Sequence, residues 1–170
     1  MRLLRSRRLS PVNSTLGVMS IRAATIADAE AISALITDLS EPFYTSPTRE
    51  GAEPFLTSVS PEAQRGYIAA GNFSYYVAES DCRLAAVVAL RDNSHLFHLF
   101  VAKPLQGTGL ARRLWNVVKT NAMATGNPGQ FTVNSSLNAV PIYEKFGFVR
   151  KGDVQYMHGI SFQPMQLQCR

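Results

Sequence analysis

The sequence predicts an α/β sandwich, a mixed and largely antiparallel sheet covered by helices. Three observations point there. Strand-like and helix-like segments follow one another in the order β-α-α-β-β-β-α-β-α-β-β. The three consecutive strand segments in the middle are joined by short polar turns, as antiparallel hairpins require. And 170 residues with 46% hydrophobic and 17% charged side chains make an ordinary globular composition, long enough for one domain with a sizeable core.

Residues 1–18 are basic, serine-containing and free of acids, which is how a mitochondrial transit peptide looks. We favour a flexible basic tail, or an over-long start with the natural beginning at Met19, because Met19-Ser20-Ile21-Arg22 leads straight into the first strand. Residues 19–170 then form the single folded domain.

Ile21–Ala24 make that strand. Thr25 stands three residues before Asp28, close to a capping box. Ala29, Ile32, Leu35, Ile36 and Leu39 follow at helical spacing, which predicts a helix over 26–39. Glu41 to Glu53, with two prolines, Phe43, Tyr44 and many polar residues, is a loop. Pro54–Val59 and Pro61–Ala70 form a broken second helix, with Ser60 as N-cap and Gly71 as stop.

Strands follow at Phe73–Glu79, Leu84–Arg91 and His95–Ala102. Pro104 ends the last, having no N–H for a ladder. A helix runs from Leu110 to about Ala124, then a strand over Phe131–Ser135 and a short helix over Leu137–Phe146 stopped by Gly147. Phe148–Lys151 and Ile160–Gln168 close the chain as paired strands.

Charge and cysteines exclude several classes. The net charge of +5 is concentrated in Arg2, Arg5, Arg7 and Arg8; without them 13 basic residues face 12 acidic ones. A nucleic-acid binder carries its basic footprint on the fold itself, so none is expected. Cys82 and Cys169 are two unpaired thiols, too few for a disulfide framework or a cysteine-rich zinc site. No metal is expected. No apolar run approaches the ~18 residues of a membrane span. The expected location is the cytoplasm.

The stretch from His95 to Trp115 organises the rest. A buried strand runs into Gln106-Gly107-Thr108-Gly109-Leu110-Ala111, and that turn opens a helix. Such an order aims several backbone N–H groups and a helix dipole at one spot, which suits phosphate. The turn is no Walker A loop, lacking Gly-Lys-Ser/Thr. Nor is it a good dinucleotide fingerprint: Arg112 takes the place of the third glycine, and no acid lies ~20 residues on.

Further down stands Asn134-Ser135-Ser136-Leu137-Asn138-Ala139-Val140-Pro141-Ile142-Tyr143-Glu144-Lys145-Phe146-Gly147-Phe148. Together with the glycine turn, this resembles the GNAT superfamily of acetyl-CoA-dependent N-acetyltransferases. The family pattern is a strand, Gln/Arg-x-x-Gly-x-Gly/Ala opening a helix, and one strand later an Asn-containing turn before Tyr-Glu-Lys-x-Gly-Phe. The resemblance covers residues 20–168.

It implies a sheet whose two central strands splay apart to admit acetyl-CoA as co-substrate. The pyrophosphate would sit on the turn Gln106, Gly107, Thr108, Gly109, Leu110 and Ala111, with Arg112 extending the helix start. The pantetheine arm would pair with Leu99, Phe100 and Val101, where one N–H polarises the thioester carbonyl. Asn138 matches an Asn that contacts the arm, and Asn134 would line the slot. Tyr143 matches the tyrosine that protonates the departing thiolate.

The chemistry asks for such groups: an amine attacking a thioester builds charge on oxygen and then expels a thiolate. A phenol with a pKa of about 10 is protonated at neutral pH and can donate to sulfur.

For the amine's own proton, His95 and His98 are candidates. Strict alternation puts His95 with Phe97, Leu99 and Val101, and its position along the strand resembles where several members of the family carry a Glu or His base. A bulge there, usual in the family, would favour His98, and water is the third route. Phe43 and Tyr44 with their loop, together with Tyr156 and His158, are expected to line the acceptor side. Glu41 and Glu50 are taken as solvated loop carboxylates rather than as a cation site.

The expectation is transfer to a small-molecule primary amine by direct attack. Acetylation of a protein or peptide N-terminus and a non-catalytic CoA-binding module are the alternatives. A homodimer is compatible with the sequence without being fixed by it.

Overall fold

The computed structural model describes residues 19–169. The expectations for residues 1–18 lie outside the described residues. Eight strands make one sheet with the order β1-β2-β3-β4-β5-β8-β6, with β7 pairing to β8. The strands are β1 (Ser20–Ala23), β2 (Phe73–Ser80), β3 (Arg83–Arg91), β4 (His95–Val101), β5 (Gln130–Ser135), β6 (Val149–Arg150), β7 (Gln155–Met157) and β8 (Ile160–Gln168). All pairs are antiparallel except β4–β5, which are parallel. The mixed, largely antiparallel sheet expected from the sequence is present.

Among the described residues five α-helices cover it: α1 (Ala29–Asp38), α2 (Glu53–Ser58), α3 (Pro61–Ala69), α4 (Leu110–Ala124) and α5 (Val140–Lys145). The helix expected over 26–39 divides into a 3-10 turn at Ile26–Asp28 and α1. Asp28 accepts the Thr25 N–H at 2.7 Å and two Arg22 hydrogen bonds at 2.8 and 2.9 Å, which tightens that first turn. Ala29, Ile32, Ser33 and Ile36 are the buried stripe of α1. Ser60 caps α3 as expected, its hydroxyl accepting the Ala63 N–H at 3.2 Å.

Each sheet face has its own core. On one, α4 buries Leu110, Leu114, Trp115 and Val118 against Leu90, Leu96, Phe131 and Phe148. On the other, Ile32 and Ile36 of α1 pack on Tyr75, Val77, Val87 and Ala89.

Two irregularities position the site. First, β4 and β5 pair only at His95–Thr132 and Leu96–Val133. Beyond Leu96 the two strands part, as the resemblance implied. Second, Ala89 pairs with His98 and Leu90 with Leu96, so Phe97 is the extra residue of a bulge. The bulge shifts the alternation. Leu96, Leu99 and Val101 belong with the α4 core, whereas Phe97 and Phe100 belong with the α1 core.

Strand β7 was not expected. It forms a hairpin with β8 through His158 and Gly159, at φ 50° and 69°, the positive pair that a type I′ turn demands. All three β7 residues are exposed, so no alternation marked the strand. The hairpin tip docks on the 44–52 loop. Thr45 N–H donates to the Gly159 carbonyl at 2.9 Å, and a Cβ on Gly159 would stand 2.5 Å from the Glu50 carbonyl oxygen.

Candidate active site

A cavity of about 690 Å³ opens where β4 and β5 part. Its walls come from both faces of the sheet: Leu110, Ala139 and Tyr143 from the α4 side, Phe97 and Phe100 from the α1 side. It is therefore a passage through the sheet, made by the splay.

The turn after β4 forms one mouth. Gly107 and Gly109 hold φ of 77° and 85°, and Gly109 sits immediately before α4. That left-handed backbone is open to glycine at little cost. None of the backbone N–H groups from Gly107 to Arg112 donates to a carbonyl among the described residues. Six orphan donors at a helix start form an anion cradle, and Lys103, Arg112 and Lys145 bring positive charge to the same wall.

Side chains brace the cradle. The Gln106 amide donates to the Val101 carbonyl at 2.9 Å and ties the turn to the end of β4. The Thr108 hydroxyl donates to the Leu105 carbonyl at 2.6 Å, which turns that side chain out of the cavity wall. Thr108 is thus the one predicted cofactor-binding residue that does not line the cavity. Arg112 donates to the Lys145 carbonyl at 3.0 Å and lies 4.9 Å from the Phe146 ring, linking the start of α4 to the end of α5.

Ala102 N–H donates to Ala85 on the β3 side at 2.8 Å. Alternation then turns the backbone of Leu99 and Val101 toward the gap, where β5 no longer pairs with them. Apart from the Val101 carbonyl, which Gln106 holds, this strand edge is unpaired among the described residues and can take an extended ligand as an extra strand.

Across the gap, Asn134, Ser136 and Asn138 line the β5 side. Ser136 donates its hydroxyl proton to Asn138 Oδ1 at 2.7 Å, which fixes the amide and leaves its NH2 available. Ser136 was not singled out from the sequence; a serine two residues before the asparagine, as in an ST turn, is the signal that marks it.

Tyr143 lies on α5, buried and flanked edge-on by Phe146 and Phe148 with ring centroids at 6.1 and 5.7 Å. Its hydroxyl makes no hydrogen bond among the described residues. Burial pushes the phenol further above its ordinary value near 10, so it stays protonated at neutral pH.

The histidines are elsewhere, and this corrects the expectation that His95 faces the slot. Neither His95 nor His98 lines the cavity. The bulge at Phe97 separates His95 from Leu99 and Val101, with which strict alternation grouped it. Instead His95 Nδ1 pairs with Thr132 Oγ1 at 2.8 Å. His98 is buried among Tyr75, Phe97 and Phe100, and its Nε2 has no partner among the described residues. Loss of hydration pushes His95 down to about 4 and His98 to about 3.

At the opposite mouth the lining is Asp38, Leu39, Glu41, Pro42 and Phe43, in front of Phe97 and Phe100. Asp38 ends α1 and was not anticipated. Of the expected acceptor loop only Glu41 to Phe43 reach the wall; Tyr44 and Glu50 do not. Tyr156 and His158 also stay outside the wall, and their hairpin serves as a prop behind the loop.

Two further observations bear on the class. The model of the acetyltransferase (GNAT) domain matches residues 43–169. Among solved structures, a GCN5-related N-acetyltransferase from Rhodopseudomonas palustris superposes with a TM-score of 0.72 at 19% identity, covering 91% of this chain and 98% of that one. The PaiA N-acetyltransferase of Thermoplasma acidophilum, solved in complex with coenzyme A, gives 0.66 at 16% identity over 89% and 99%. A spermidine N-acetyltransferase from Vibrio cholerae gives 0.60 at 21% over 88% and 94%. None of the curated proteins matches.

Fold and family model together define an acyltransferase. The chain belongs to the GNAT acetyltransferase family, whose acyl donor is acetyl-CoA. No helix among the described residues is long and apolar enough to cross a membrane.

Proposed function

We propose that this protein moves the acetyl group of acetyl-CoA to a small-molecule primary amine by direct attack. The observation that carries this reading is the passage through the sheet. One mouth offers six orphan N–H groups and three cations, and the other offers carboxylates and aromatic rings. A polyanionic donor and a cationic acceptor are thereby drawn to opposite ends of one channel.

In this reading the diphosphate rests on the residues Gly107 to Arg112, and the arm runs along Leu99 and Val101. The amide NH2 of Asn138 meets the arm from the β5 side. The amine nitrogen bonds to the acyl carbon while a backbone N–H of β4 steadies the carbonyl oxygen. The carbon–sulfur bond then breaks, and the thiolate takes the Tyr143 hydroxyl proton. The amine's surplus proton leaves through water, since neither histidine reaches the channel, and solvent restores the phenol.

The experiment is a panel of amines with acetyl-CoA, following release of free thiol, beside calorimetric binding of coenzyme A. Amine-dependent thiol release is the expected result. Coenzyme A binding with no turnover on any amine overturns the reading, and turnover only on peptide N-termini replaces the acceptor class.

A further inference from the structure

The acceptor mouth also describes the body of the amine, and this inference rests on the acyl-transfer reading above. Asp38 stands at the C-terminal end of α1, where the helix dipole is negative and a carboxylate is least favoured. Among the described residues no basic side chain pairs with it. Glu41, by contrast, is held by Arg49 at 3.6 Å. The mouth therefore has one uncompensated negative charge beside one compensated pair.

Behind these carboxylates the wall is apolar, made by Leu39, Pro42, Phe43, Phe97 and Phe100. Its rings are fixed by one another. Phe43 lies 5.6 Å from Phe55 and 6.4 Å from Phe100, centroid to centroid. Such a surface favours an apolar body, ring-bearing above all, which can stack edge or face against it. It penalises a second ammonium or a hydroxyl-rich body, whose hydrogen bonds to water would be lost without replacement. A carboxylate on the acceptor would meet Asp38 and Glu41.

We infer that the acceptor is a monocationic primary amine on an apolar ring-bearing body, of the arylalkylamine class. Phe43 and Phe100 contact the body, and Asp38 draws the ammonium to the mouth. Zwitterionic amino acids are rejected by charge, and polyamines by the dry wall.

The test measures initial rates of thiol release with acetyl-CoA and four acceptors: 2-phenylethylamine, phenylalanine, spermidine and ethylamine. The expected result is a kcat/KM for 2-phenylethylamine about tenfold or more above the other three. Asp38→Asn raises KM for 2-phenylethylamine about fivefold and leaves KM for acetyl-CoA unchanged. Phe43→Ala lowers kcat/KM for 2-phenylethylamine about tenfold and leaves that for ethylamine nearly unaltered. Because ethylamine is read in the same assay, a variant that fails to fold loses turnover on both amines, and Phe43→Leu then replaces it.

Preference for spermidine or phenylalanine, or an Asp38→Asn enzyme with unchanged KM, overturns this inference and leaves acetyl transfer standing. Absence of turnover on every amine overturns both.

Discussion

The two mouths of the channel are built from different materials. The mouth proposed for the donor is backbone: orphan N–H groups held by two glycines in left-handed conformation. The mouth proposed for the acceptor is side chain: one carboxylate without a basic partner among the described residues, a paired one and a cluster of rings. Backbone donors serve any molecule with the same diphosphate, whereas side chains at a rim are free to vary with the amine. In the proposed reading, binding of the donor and choice of the acceptor are separable, and the variants at each mouth strain one without the other.

The largest effect is expected between the mouths. Tyr143→Phe removes the proposed proton donor and should lower kcat about 10²- to 10⁴-fold, with coenzyme A affinity by calorimetry nearly unchanged. An equal loss of affinity would make Tyr143 a packing residue. Next comes the donor mouth alone. Gly109→Val forces a β-branched side chain to φ 85° and should weaken coenzyme A binding about tenfold or more.

On the acceptor side, Gly159→Ala sets a methyl group against the Glu50 carbonyl and the Ala52 N–H, and backbone must move. It should cost about 2–4 kcal/mol in urea unfolding. KM for the amine should rise while coenzyme A affinity holds, because the hairpin tip props the 41–43 wall. Equal damage at both mouths would break the comparison.

Acid stability sharpens the placement of the histidines. Free histidine takes up a proton near 6.5, but buried His98 does so only at about 3. The unfolded chain therefore binds more protons throughout that window, and stability falls as pH drops below 6.5. His98→Phe should remove about 2 kcal/mol of the stability lost between pH 7 and pH 5, measured by urea unfolding at both. An unaltered difference would place His98 in water.

The smallest effect is expected at Ser136, which only aims Asn138. Ser136→Ala should raise KM for acetyl-CoA about threefold, and Ser136→Thr should restore it.

The same contrast explains how much was legible in the sequence. Glycines at 107 and 109, a strand before them and a helix after them are local and periodic, so the turn that opens α4 could be read directly. Tyr143 and Asn138 followed from the motif that carries them. The mouth proposed for the acceptor was readable only in part, because it assembles from the end of α1, a 3-10 turn at Glu41–Phe43 and the bulged face of β4. Phe43 was anticipated, but Asp38 was not, since only tertiary packing brings it to the wall. His95 was misplaced because alternation by twos fails at a bulge, and one extra residue in β4 leaves no mark that periodicity detects. Strand β7 escaped for a similar reason, being three exposed residues whose pairing is set by the His158-Gly159 turn.

The most direct test of the channel is a titration of coenzyme A into the ¹⁵N-labelled protein, following backbone amide shifts. The largest shifts should fall on Gly107 to Arg112 and on Leu99 and Val101, with Asp38 to Phe43 little changed. Shifts centred on Asp38 to Phe43, or none at the glycine turn, would contradict the account.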